Sequence, residues 1–458
     1  MPHDTHGLRL IAREMFDEAL RAANAGQAVR RAVKLEDERL TIVGRGFDLR
    51  KLAGVFAVAV GKAARPMAAA LNEILGARLR RGVMSAPVID KNLLARWQQF
   101  AGGHPVPNAD SLLAGQAATA LLTHAAKLSA NGKQALVVFL ISGGGSAMME
   151  SLRADDVSLA DLQAANKLLV HCGATIAEIN AVRRSWSRIK GGGLSRFAGD
   201  SLQISLIVSD TNAGDEASVA SGLTFPSANS FDVQDIIRRY KLAAQFPQSL
   251  LHALARSARE PSLAQPDTGA HSHYTLLDND AALKVAACVA EARGFVVQTA
   301  RDLVESPIAE GCAQSVSRLL LMQRSYAGDE DRRSGVCLIS GGEFSCPVRG
   351  HGVGGRNTEA ALRSVLDFER EIQSNQAKDA PPNFVALFAG TDGIDGNSPA
   401  AGAISDDTTL ARARALGMNA HDYPAQSDAY TFFARLGDAI TTGATETNVR
   451  DVRIMLAR

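Results

Sequence analysis

ALVVFLISGGGSAMME, Ala135 to Glu150, opens with seven consecutive apolar residues and then breaks into three glycines. A short apolar run rich in β-branched residues reads as a strand buried on both faces. The residues after Gly145 return to a helical pattern. Backbone N–H groups of Ser142, Gly143, Gly144, Gly145 and Ser146 can cradle phosphate oxygens in such a loop. A tight strand–helix turn is the plain alternative.

The same pattern recurs outward from this stretch. VFAVAV, Val55 to Val60, runs into GKAARPMAAALNEIL, a helix. RGVMSAP, from Arg81, and SLQISLIVSD, Ser201 to Asp210, read as further strands. Helices are expected over residues 7–33, from about Ser111 to Ser129, and over about 159–189. Strands alternating with helices predict an α/β protein whose mostly parallel sheets are covered by helices. Ligands of such sheets bind beyond the carboxyl ends of the strands. Lys62, the SGGGS loop and Asp210 each stand just past a predicted strand.

At 458 residues the chain is long enough for two domains. Residues 255–272, ARSAREPSLAQPDTGAHS, are polar and broken by prolines. We therefore expect a Rossmann-like domain over 1–250, a linker or loop over 251–270, and a second α/β domain over 271–458. The active site is expected in the interdomain cleft. LISGGGS at Leu140 and LISGGEF at Leu338 echo each other. They read either as two similar strand–loop anion sites or as a chance likeness.

Composition narrows the function classes. The net charge of +1 argues against nucleic-acid binding as the main role. Five cysteines without a CxxC pair read as reduced, buried thiols of a cytosolic protein. No apolar run approaches the ~18 residues of a membrane span, and the N-terminal helix is charged without a signal-peptide core. The expected location is cytoplasmic, with no membrane partner; a homodimer is compatible with the sequence. The ten histidines show no metal-ligand spacing, and no zinc is assigned.

Several loops carry candidate chemistry. SCPVRGHGVGGRNTEAAL, Ser345 to Leu362, reads as a short strand, a glycine-rich loop and a helix that begins near Arg356. Gly354, Gly355 and the helix N-terminus could hold an anion, and Arg356 adds a planar cationic fork. Gly350, Gly352 and Gly355 also spell GxGxxG, a dinucleotide fingerprint. That pattern requires an acid about 20 residues on, at the end of a second strand. Glu369 and Glu371 fall in a helix instead, and the next strand, FVALFAG, ends only near Asp392.

Lys62 can neutralise a transferred phosphate or merely be a solvated helix-start lysine. Lys190, before the glycines of RIKGGGLSR, is either near a helix end or at a second anion site. Asp210 can accept a hydroxyl proton, hold Mg²⁺, or cap a helix. Asp392 and Asp395 in TDGIDGNS suit a magnesium or hydroxyl site, or simply a turn. Glu343 and Asn357 flank the arginine loop as further substrate or metal candidates.

VAVGKAA, GHPVPNADS, LISGGGSA, IKGGGLS, SGGEF, RGHGVGGRNTEAAL, GTDGIDGNSPAAGA and TGATETNVRD follow one another along nearly the whole chain. In that order they resemble the glycerate 2-kinase family, whose C-terminal part is called the MOFRL domain. The resemblance implies ATP-dependent phosphorylation of the 2-hydroxyl of D-glycerate to 2-phosphoglycerate, with Mg²⁺. It implies Lys62, Arg356 and Asp210 as the matching catalytic positions. Family members are often labelled hydroxypyruvate reductase, so an NAD(P)H-dependent reductase is the alternative, beside a kinase for a related hydroxy acid. Two loops depart from the family pattern: SDTNAGDEASVASG lacks its prolines, and TGATETN has Glu446 where the family has glycine.

Overall fold

The computed structural model describes residues 5–93, 95–130, 132–226, 231–257, 271–326, 335–374 and 382–458. They form two compact units. One contains Ala25–Leu277, and the other joins Met1–Asn24 to Asp278–Arg458.

The Ala25–Leu277 unit has six strands, all paired parallel, in the order Trp97–Ala101, Leu79–Ala86, Gly54–Val60, Ala135–Ser142, Leu202–Val208, His271–Leu277. Chain order runs outward in both directions from the central pair, Gly54–Val60 and Ala135–Ser142. That pair is therefore the topological switch point, where connections leave to opposite sides and a crevice opens beyond the strand ends. Phe56, Val58, Val60, Val137, Phe139 and Ile141 bury one face with helix Ala109–Ser129. Helix Ala64–Leu75 packs on the sheet as well. A small antiparallel sheet of Val33–Glu36, Arg39–Ile42 and Arg45–Asp48 precedes this core, and helix periodicity had not announced it. The helix expected over 159–189 is two, Leu159–His171 and Ile176–Trp186, each started by a side-chain cap from Ser158 or Thr175. Likewise 7–33 divides into Thr5–Ala22 and Ala25–Ala32.

The other unit also has six strands, in the order Phe295–Ala300, Gly335–Gly342, Asp451–Ala457, Phe384–Gly390, Gly402–Asp406, Ala439–Ile440. Four run in one direction; Asp451–Ala457 and Gly402–Asp406 run against them. Helices Ile308–Tyr326 and Arg356–Ser374 share a core on one face with Phe384, Phe388 and Met455. Helices Thr5–Ala22 and Asn279–Ala292 pack together and against the sheet.

The boundary expected at 251–270 falls elsewhere. Leu251 to Ser257 continue helix Gln248–Ser257, and 258–270 lie outside the described residues. His271–Leu277, placed by composition beside a linker, is the last strand of the parallel sheet. The first helix belongs with the C-terminal residues. The cysteines are free thiols, but only Cys312 and Cys337 are buried; Cys172 and Cys346 are half-buried and Cys288 is exposed.

Two local devices hold these elements. The His271 ring lies between the hydroxyls of Ser195, at 3.1 Å, and Ser205, at 3.0 Å, and stacks on His273 at 4.0 Å. Asp395, 1% exposed, caps helix Arg356–Ser374 from a distant loop. Its carboxylate accepts from the N–H groups of Asn357 and Thr358, both at 2.8 Å, and from Thr358 Oγ1 at 2.8 Å.

Burial, with the neighbouring His273, holds the His271 pKa down at about 3, against about 6.5 in an unfolded chain. The unfolded state takes up the proton first, so stability present above about pH 6.5 is lost as the pH falls towards 3. His271→Gln keeps hydrogen-bonding capacity without the titration. Urea unfolding at about pH 7.5 and pH 5 should show the wild type losing about 1–2 kcal/mol more than this variant; equal losses would contradict the assignment. Asp395→Ala should cost about 1–3 kcal/mol in the same measurement, and a neutral effect would show that the cap is dispensable.

Candidate active site

The switch point of the parallel sheet gathers three of the expected groups. Lys62 N–H donates to Gly143 O at 2.9 Å, and Ala63 N–H donates to Ser142 Oγ at 3.0 Å. These bonds tie the lysine turn to the SGGGS loop. A Cβ on Gly143 would lie 1.8 Å from Asp210 Oδ2, so the carboxylate rests against the bare α-carbon. Gly61 has φ +112 and would meet Ser142 O at 2.4 Å if it carried a Cβ; no other residue suits that position. Lys62 and Asp210 are half-buried. Among the described residues, the N–H groups of Gly143, Gly144, Gly145 and Ser146 donate to no other backbone group. The loop thus presents successive N–H groups beside a cation and a carboxylate.

The loop is braced from below. Ser146 Oγ lies 2.7 Å from Ser221 Oγ, and Ser221 donates to Asn180 Oδ1 at 2.9 Å. Ala220 and Ser221 take φ +52 and +60, a left-handed conformation that costs non-glycine residues free energy. A Cβ on Gly145 would come within 2.9 Å of Ala220 Cβ. The ASVASG end of the altered loop is therefore packed tightly against the phosphate-type loop.

In the other unit Arg356 stands at the start of its helix, beyond the strand ends. Its Nε and Nη2 donate to Asp451 at 2.6 and 2.9 Å, and Nη2 donates to Glu343 at 2.7 Å. Burial alone would lower the guanidinium's pKa, but the charges of Asp451 and Glu343 outweigh it and raise it. Nη1 has no partner among the described residues, and the side chain remains 31% exposed. Asn357 Nδ2 donates to Asp451 at 3.0 Å. Asp392 Oδ1 accepts from Ile394 N–H at 3.2 Å, as in a turn, yet it also borders Gly390 together with Asp451 and Asn357.

Other expected groups are engaged elsewhere. Lys190 is buried in an ion pair with Glu150, which also accepts from Ser187 Oγ at 2.5 Å. The N–H groups of Gly191 and Gly192 donate to Ser221 and Gly222 carbonyls. The second glycine triplet is thus a packing turn rather than an anion site. Gly354 N–H donates to Asn397 Oδ1 and Gly355 N–H to Thr358 Oγ1, so neither is open to phosphate. With Asp395 capping the helix, the GxGxxG loop offers an anion its arginine and not its backbone. Asp395 itself is consumed by the cap. Ser345 forms a single bridge to Pro307 rather than a strand. The LISGGEF echo is not a second cradle: Gly342 N–H donates to Asn279 Oδ1 and Glu343 N–H to Val304 O.

Asp451 was missed. It begins the antiparallel strand and registers against both Gly342 and Gly390, which brings it to the carboxyl ends of the neighbouring strands. The motif TGATETNVRD contains it, but nothing in its spacing marks it as the partner of Arg356. His104 was missed too: its ring abuts Gly144 of the loop. Glu446 takes φ +57, a conformation that glycine adopts freely. Among the described residues no three His, Cys, Asp or Glu side chains form a metal-binding group.

Known proteins resemble nearly the whole chain. Residues 11–255 match a domain of unknown function, DUF4147, and residues 336–451 match the MOFRL family. Glycerate kinase of Bos taurus is 32% identical, over 97% of this chain and 92% of its own length. Glycerate 2-kinase of Pyrococcus horikoshii is 30% identical, over 98% and 96%. The crystal structure of glycerate kinase from Thermotoga maritima superposes with a TM-score of 0.77 at 27% identity, covering 99% of this chain and 100% of that one. At 30–32% identity over nearly its whole length, this chain belongs to the glycerate 2-kinase family.

Proposed function

We propose that the protein is an ATP-dependent kinase that transfers the γ-phosphate to the 2-hydroxyl of D-glycerate, giving 2-phosphoglycerate and ADP. The carrying observation is the row of Gly143–Ser146 N–H groups that, among the described residues, donate to no other backbone group, held beside Lys62 and Asp210 at the switch point. The glycerate kinase relatives support the same reading.

In this reading the Gly143–Ser146 amides bind ATP phosphate oxygens. Lys62 and Arg356 offset the charge that spreads over the transferring phosphoryl group. Asp210 orients the substrate hydroxyl and takes its proton as the O–P bond forms. Asp451 and Glu343 hold two corners of the Arg356 guanidinium and leave Nη1 for the phosphoryl oxygens. Asp392 and Asn357, grouped around Asp451, are secondary positions for polar contact with substrate.

A divalent cation, Mg²⁺ in this reading, would offset phosphate charge. It usually keeps several waters and takes one or two carboxylates besides phosphate oxygens, a place Asp392 would fill while Asp210 serves the hydroxyl. A cytoplasmic location and a homodimer belong to the same reading. Among the described residues no helix is long and apolar enough to cross a membrane.

The reductase alternative needs GxGxxG amides for a pyrophosphate, and in this chain those at Gly352, Gly354 and Gly355 are bonded internally. ADP release with D-glycerate, without NADH oxidation by hydroxypyruvate, is the expected result; the reverse would favour the reductase. Lys62→Met and Arg356→Met should each lower kcat by about 10³-fold or more while the proteins stay folded. A near-normal rate in either variant would remove that residue from the mechanism.

A further inference from the structure

Helix Ile176–Trp186 has two differently employed sides. Ile179, Val182 and Trp186 pack into a hydrophobic cluster with Ile236, Phe246 and Leu250. Asn180 lies on another side, buried, with its Oδ1 bonded to Ser221 and through it to Ser146 of the glycine loop. Arg184 follows Asn180 by four residues, so it projects from the same side of the helix.

Arg184, like Trp186 two residues on, has a buried side-chain nitrogen without a partner. Its Nε is out of contact with water and has no hydrogen-bond partner. No ion pair to it occurs among the described residues. Burial lowers its pKa, and no neighbouring charge offsets this. Three other cations of this unit are engaged. Arg183 donates to Asn166 Oδ1 at 3.0 Å, Arg153 to Ser187 O at 2.9 Å, and Lys190 is paired with Glu150. Arg184 as a whole is half-buried, and a desolvated N–H without a partner is unfavourable unless a ligand completes it.

We propose that Arg184, on the side of the helix whose Asn180 braces the glycine loop through Ser221, is the receptor for the carboxylate of the hydroxy-acid substrate. A guanidinium gives a carboxylate two parallel N–H···O bonds. A small 2-hydroxy carboxylate has its carboxylate one bond from the carbon bearing the reacting hydroxyl, so a fixed carboxylate fixes that hydroxyl as well. A neutral polyol such as glycerol lacks the group and is rejected. The inference rests on the kinase reading, because that reading brings a 2-hydroxy acid to this loop.

Two measurements separate the inference from its premise. Calorimetric titration of D-glycerate without nucleotide reads the carboxylate site directly. Arg184→Met should weaken binding by roughly 30-fold or more, with Arg184→Lys intermediate and the thermal stability of the three proteins compared. ADP-release kinetics should show KM for D-glycerate rising while KM for ATP stays unchanged. Equal glycerate binding by wild type and Arg184→Met would overturn the carboxylate role, even with the wild type an active glycerate kinase. A wild type without ADP release, but with glycerate binding that depends on Arg184, would retain the carboxylate site and refute the kinase reading.

Discussion

The carboxylate of Asp451 holds the Arg356 guanidinium by two bonds, at 2.6 and 2.9 Å, from a position only 1% exposed. It also accepts from Asn357. A buried carboxylate is costly unless it is paired and fully bonded. Asp451 is both, because the strand it starts inserts between Gly335–Gly342 and Phe384–Gly390. Two residues on, Arg453 is buried on the same strand face, donates to Leu303 O at 2.8 Å and stacks over Phe344 at 3.7 Å. The orientation of one half-exposed arginine is thus set by the core of a whole sheet. Arg356 needs no ligand to adopt a fixed pose, which is the preorganisation electrostatic catalysis requires.

The parallel-sheet unit solves a different problem. In the proposed mechanism its loop must leave backbone N–H groups without backbone partners. Gly61 and Gly143 permit close approach of the Ser142 and Asp210 side chains, where any Cβ would collide. Ser146, Ser221 and Asn180 then brace the loop with a chain of hydroxyl bonds. The strained φ values at Ala220 and Ser221 are retained at this contact, in keeping with strain concentrating where function over-determines the backbone.

Much of this was legible in the sequence, and the exceptions have physical causes. ALVVFLI and VFAVAV announced their strands because both faces are buried, so apolar residues run without interruption. Lys62, the SGGGS loop and Asp210 could be grouped because parallel strands deliver their C-terminal loops to one edge. The glycine loop ending at Gly354 and Gly355 misled as an anion cradle. Close packing against Gln426 and Asp428 demands the same bare α-carbons as a pyrophosphate would. Lys190 and Asp395 could not be placed from local pattern, since their partners lie 40 and 37 or more residues away. Asp451 was hidden for a related reason: an antiparallel strand start reaches the site only through long-range pairing. His271 looked like linker because a polar sequence preceded it, whereas two serine hydroxyls and a stacked ring make it an internal residue.

The central claim is transfer of a phosphoryl group to the secondary hydroxyl of glycerate. Proton-coupled ³¹P NMR of the product formed from ATP and D-glycerate tests it most directly. Phosphate on the 2-oxygen is coupled to a single methine proton and gives a doublet, the predicted result. A triplet from a methylene neighbour would place the phosphate on the 3-oxygen and contradict the account.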